Sequence, residues 1–159
     1  MSQKRVVQLR AASIVVLLVI GLAFSGLALA AELLGLDITP GFGMVQMFQL
    51  LIGITCLTLA AYLHLNSLRP KDTARSLQAD IGVRLAATGL VFAYVCGLSD
   101  LMGIGTHIEP GFERPFVGPL QLGGLLLGGI TIAIGLLLYH TSRGIRENSS
   151  MEFIIQKDR

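Results

Sequence analysis

Residues 11 to 31 read AASIVVLLVIGLAFSGLALAA, a run of 21 without Asp, Glu, Lys or Arg. As α-helix it rises roughly 1.5 Å per residue, enough to cross a hydrocarbon core of about 30 Å. Three more stretches share the property: Met44 to Leu63, Leu85 to Ser99 and Phe116 to Thr141. Only 14% of the chain is charged, 53% is hydrophobic, Gly occurs 19 times and Trp is absent. This segregation assigns an all-α integral membrane protein with four transmembrane helices.

The third span is the shortest, with 15 residues between Arg84 and Asp100. It reaches spanning length if Arg84 snorkels to the headgroups and the helix continues through Leu101 to Ile104. Spans are expected at about 11–35, 43–65, 82–104 and 116–141.

Lys4, Arg5 and Arg10 precede the first span; Arg69, Lys71, Arg75 and Arg84 lie between the second and third; Arg143, Arg146, Lys157 and Arg159 follow the fourth. Only Arg114 falls on the other side. The positive-inside rule therefore predicts that both termini are cytoplasmic, in a bacterial inner membrane. Glu32, Asp37, Asp100, Glu109 and Glu113 make the opposite end acidic. The basic start, the apolar run and Ala28-Leu29-Ala30 also imitate a secretory leader with an A-x-A cleavage site. Retention is expected instead, because this span has a partner role in the repeat that follows.

Residues 35 to 42, GLDITPGF, return as residues 105 to 112, GTHIEPGF. Pro40, Gly41 and Phe42 match Pro110, Gly111 and Phe112, a turn in which Pro stops a helix and Gly admits positive φ. Arg10-Ala11-Ala12-Ser13 corresponds to the stretch from Arg84 to Thr88. Leu50, Leu51, Gly53, Ile54, Thr55 and His64 correspond to Leu126, Leu127, Gly129, Ile130, Thr131 and His140 at a constant offset. The reading is a tandem, parallel repeat of two helical hairpins within one membrane domain, 1–159. Hairpin 1 covers 10–66, a cytoplasmic loop 67–80, hairpin 2 81–141 and a cytoplasmic tail 142–159.

Gly124, Gly128, Thr131 and Gly135 recur at i, i+4, i+7 and i+11, with a shorter version at Gly21 and Ser25. Small residues on one helix side let backbones approach closely in a bilayer, so these are expected to pack helices. Gln46, Gln49 and Gln121 open the second and fourth spans, where their amides can support the turns or meet a headgroup. His64 and His140 sit at equivalent span ends and offer ligands for a haem or pigment. A histidine at a helix C-terminus also complements the macrodipole, which is the plainer reading. Asp100, His107 and Glu109 are candidates for an outer-face polar site. Cys56 and Cys96 lie inside spans with no C-x-x-C or Cys/His spacing, so no metal site is expected.

No phosphate loop, paired nucleophile and base, or nucleic-acid reader is present, and no span carries an ionisable group at mid-membrane. The expected function is a small non-catalytic accessory subunit or assembly factor of a larger membrane complex, respiratory or photosynthetic. Its partners are the lipid bilayer and other subunits or copies of itself, with no nucleic acid and no resident cofactor. Two other readings stay open: an oligomeric channel or transporter for small solutes or lipid, and a membrane protein binding haem, pigment or quinone.

Overall fold

The computed structural model describes residues 3–31, 34–35, 42–69, 76–99 and 117–142. They form four helices, α1 (Gln3–Ala30), α2 (Met44–Ser67), α3 (Leu77–Gly97) and α4 (Pro119–Thr141), and no strand among the described residues. All four are long and apolar enough to cross a membrane.

Two helices, α1 and α3, depart from the sequence reading at both ends. α1 starts at Gln3 rather than near 11, because Lys and Arg are good helix formers and do not interrupt the pattern. It stops at Ala30 rather than 35; Leu34 N–H still bonds Ala30 O at 2.9 Å, and Gly35 turns the chain at φ 63°. α3 gains its length toward the basic end. Ser76 caps it by accepting from the Ala79 N–H at 3.3 Å, and the helix ends at Gly97 rather than 104. Its 21 residues span about 31 Å. Arg84, now two turns inside α3, pairs with Asp80 at 2.9 Å on the exposed side. Leu101 to Ile104 lie outside the described residues.

α4 opens on Pro119, where the missing N–H costs nothing. His64 and His140 occupy the last turns of α2 and α4.

Successive helices run antiparallel. α1 packs chiefly on α2 and α3 on α4, while α2 also touches α3 and α4. The burial pattern inverts that of a soluble bundle. Ala28, Ala60, Ala79, Ala86 and Ala93 are buried, whereas Val15, Val19, Leu22, Val91 and Leu126 face outward. In hydrocarbon the large apolar side chains lose nothing by exposure, and small residues inside bring the backbones together. Large side chains gather near the acidic end, where Met47, Leu51 and Ala93 are buried with Phe42, Tyr94, Leu98, Val117 and Leu125 against them.

Candidate functional site

Two helix crossings bring backbones into close approach. In the first, a Cβ placed on Gly21 would stand 2.9 Å from Leu57 N; one placed on Gly53 would meet Ser25 Oγ and lie 2.7 Å from Ser25 N and 3.1 Å from Gly21 O. In the second, a Cβ on Gly89 would be 2.8 Å from Ile132 N, and one on Gly128 would be 2.9 Å from Gly89 O and 3.0 Å from Ala93 N. The same kinds of atom meet in the same order. Gly21, Ser25, Gly53 and Leu57 in α1 and α2 thus play the parts of Gly89, Ala93, Gly128 and Ile132 in α3 and α4. The shift is 68 residues from α1 to α3 and 75 from α2 to α4.

This register departs by one residue from the offset read along the sequence. That offset equated Gly53 with Gly129, whose α-carbon faces open space with nothing within 4 Å. Gly128 makes the contacts instead. The identities Ile54 with Ile130, Thr55 with Thr131 and His64 with His140 favour the sequence offset, whereas the contacts pair Gly53 with Gly128.

The α3–α4 crossing continues in both directions. Gly135 meets Ala86 and Gly82 toward the basic end, and Gly124 meets Cys96 toward the acidic end. Thr131 sits beside Gly89 and bonds its hydroxyl to Leu127 O at 2.7 Å. The stripe on α3 that receives them, Gly82, Ala86, Gly89 and Ala93, escaped the sequence reading. Its spacing of 4, 3 and 4 lies within the expected span of 82–104, but two of its four positions are Ala, in a run already rich in small residues.

At the acidic end two glutamines close the helix starts alike. Gln46 Oε1 accepts from Gly43 N–H at 2.8 Å, and Gln121 Oε1 accepts from Gly118 N–H at 3.3 Å. Gln121 is buried and donates through Nε2 to Gly97 O at 3.0 Å, tying the α4 start to the α3 end. Each capping bond satisfies an amide that a helix start leaves without a partner. Gln49 is half-buried on α2.

At the basic end a polar clamp joins the hairpins. Tyr139 is 1% exposed, and its hydroxyl donates to Asn66 Oδ1 at 3.2 Å. Arg69 lies over its ring at 4.6 Å and donates to Ser142 Oγ at 2.8 Å. The Ser142 hydroxyl in turn donates to Tyr139 O at 2.8 Å, and the Tyr62 ring tilts against Tyr139 at 5.6 Å. Gln78 at the α3 start donates to Thr141 Oγ1 at 3.1 Å. Midway between the ends, Thr55 Oγ1 and Tyr94 Oη share a bond of 2.9 Å. The bonds of Thr55 to Tyr94, Tyr139 to Asn66 and Arg69 to Ser142 join residues 39 to 73 apart in the chain and have no local signature.

The remaining candidates do not converge. His64 and His140 are both exposed. His64 lies two residues from both Tyr62 and Asn66, about 200° round the helix from that joining face, and His140 neighbours the inward Tyr139. Two imidazoles so turned do not clasp one haem between these helices. Phe42 belongs to the acidic-end cluster. Pro40, Gly41, Pro110, Gly111, Phe112, Asp100, His107 and Glu109 lie outside the described residues. Among the described residues no group of three or more His, Cys, Asp or Glu side chains is placed to hold a metal ion, and Cys56 and Cys96 are free thiols.

No protein-family model matches the chain, and no curated protein or solved structure is significantly similar to it.

Proposed function

We propose that the chain is a non-catalytic, multi-pass membrane subunit whose work is assembly: it joins further copies of itself or other membrane subunits into a larger complex. We further propose that it is a tandem, parallel repeat of two helical hairpins with both termini in the cytoplasm. The shared crossing geometry supports the repeat, and the segregation of Lys and Arg supports the orientation.

The observation that carries the assembly reading is a set of outward glycines. Gly26 on α1 and Gly123 and Gly129 on α4 have nothing within 4 Å of the place a Cβ would occupy. Glycine weakens a helix by about 1 kcal/mol relative to alanine. Where no neighbour in the same chain needs the space, the notch it leaves suits the close approach of a helix from outside.

The test is to tag the chain, extract it gently from its own membranes and measure native mass and composition. Arrival with other polypeptides in fixed ratio, or as a defined multiple of itself, supports the reading. A monomer at every extraction strength refutes it.

A further inference from the structure

One face of α2 is polar from midway along the bundle to its basic end. Thr55, Thr58, Tyr62, Asn66 and Arg69 recur at steps of 3, 4, 4 and 3. At about 100° per residue they fall within roughly 80° of arc. All five are half-buried. This face joins the hairpins: Thr55 meets Tyr94, Tyr62 and Asn66 meet Tyr139, and Arg69 meets Tyr139 and Ser142.

The two deeper residues are satisfied within the protein. Thr55 bonds Leu51 O and Tyr94, and Thr58 donates to Ile54 O at 2.7 Å. The three nearer the basic end keep donors in reserve. Among the described residues, Tyr62 Oη has no hydrogen bond, and Asn66 accepts from Tyr139 while its amide N–H groups donate to none. Arg69 spends one of its five N–H groups, on Ser142. The reserve donors are reachable from outside, since Ser25 Oγ alone among the described residues is a buried side-chain polar atom without a partner.

Hydrocarbon offers such donors no acceptor; water or a headgroup at the interface does. The charge of Arg69 favours the headgroup. The one carboxylate among the described residues, Asp80, pairs with Arg84 instead. Tyr139 lies under the guanidinium and Ser142 holds one N–H, so the planar fork is set in place with its other N–H groups available to the paired oxygens of a phosphate. A cation here also complements the C-terminal dipoles of α2 and α4, which leaves those N–H groups unspent all the same. Asn66 and Tyr62 lie roughly one and two helical turns deeper. The donors thus run inward in the order in which a phospholipid presents its acceptors, phosphate first and ester carbonyls below.

We infer that the basic end of the hairpin joint binds one anionic phospholipid: Arg69 takes the phosphate, and Asn66 and Tyr62 donate to the ester carbonyls beneath it.

The test uses the full chain, purified and delipidated in detergent, then offered phosphatidylglycerol or phosphatidylcholine with identical acyl chains. Native mass spectrometry counts the lipids each chain retains, and thermal unfolding reports the accompanying stabilisation. Phosphatidylglycerol is expected to stay bound, one per chain, under conditions that strip phosphatidylcholine. Arg69→Gln should lower retention about tenfold or more, the worth of charge-assisted hydrogen bonds. Tyr62→Phe keeps the ring against Tyr139, deletes the hydroxyl and should lower retention about twofold to tenfold. Arg10→Gln removes the same charge from an exposed position on α1 and should change nothing. Equal retention of the two lipids overturns the inference, as does a preference that survives Arg69→Gln or falls as far in Arg10→Gln. If Arg69→Gln does not fold, Tyr62→Phe decides, and unchanged retention there overturns the inference. Inorganic phosphate is the last arm: stabilisation by the free ion equal to that by phosphatidylglycerol would mark an ion site and overturn lipid binding.

Discussion

Substituting alanine at Gly135 and at Gly129 should shift stability in opposite directions. At Gly135 the new Cβ would lie 2.5 Å from Ala86 N and 2.6 Å from Gly82 O, both backbone atoms that cannot rotate away. Ordinary contacts begin near 3.5 Å, so α3 and α4 must separate locally by about 1 Å, enough to forfeit a quarter to a half of the dispersion energy of the neighbouring contacts. Overpacking of this kind costs about 1–3 kcal/mol, against which the helix gains up to about 1 kcal/mol in propensity. The net expectation for Gly135→Ala is a loss of about 1–2 kcal/mol, or roughly fivefold to thirtyfold in the unfolding equilibrium. At Gly129 the Cβ meets nothing within 4 Å, so the propensity gain stands alone. The assay is reversible unfolding of the purified protein in mixed micelles, followed by loss of helical signal against denaturing detergent. Equal shifts for the two variants, or a stabilising Gly135→Ala, would refute the crossing geometry.

Substitutions at Ser25, Gln121 and Arg69 test the joints further. Ser25 Oγ is buried with no hydrogen-bond partner among the described residues, and its counterpart in the second crossing is Ala93; Ser25→Ala should stabilise by about 1 kcal/mol in the same unfolding assay. Gln121→Leu removes the cap on Gly118 and strands a buried Gly97 carbonyl, so it should cost about 1–3 kcal/mol. Arg69→Ala should lose about 1–3 kcal/mol through its bond to Ser142 and its stack on Tyr139, and Arg69→Lys should not restore it, because a compact ammonium cannot reproduce the planar fork. Thermal unfolding of Arg69→Ala, Arg69→Lys and the parent protein checks this.

The number and kind of spans could be read from the sequence because charge exclusion from hydrocarbon is a strong local rule. Their ends could not, since basic residues such as Lys4, Arg5, Arg10 and Arg84 remain helical beyond the charge-free run. The stripe Gly124, Gly128 and Gly135 was visible as a period on one helix, but its partner stripe on α3 mixes Ala with Gly and does not stand out from the small residues around it. Pairings such as Tyr139 with Asn66 and Arg69, or Gln121 with Gly97, join distant parts of the chain. No local propensity encodes them. The repeated turn pointed to the two hairpins, yet the register between them depends on which of two adjacent glycines faces inward, and only the contacts distinguish Gly128 from Gly129.

The two kinds of helix contact divide the labour. Within each hairpin, small residues bring backbone against backbone, where packing is dense and no side chain must be ordered. Between hairpins the contact uses large side chains and a few hydrogen bonds: Thr55 to Tyr94, Tyr139 to Asn66, Arg69 to Ser142. Interhelical hydrogen bonds in membranes contribute about 0.6 kcal/mol each, so these three fix the relative position of the hairpins more than they stabilise it.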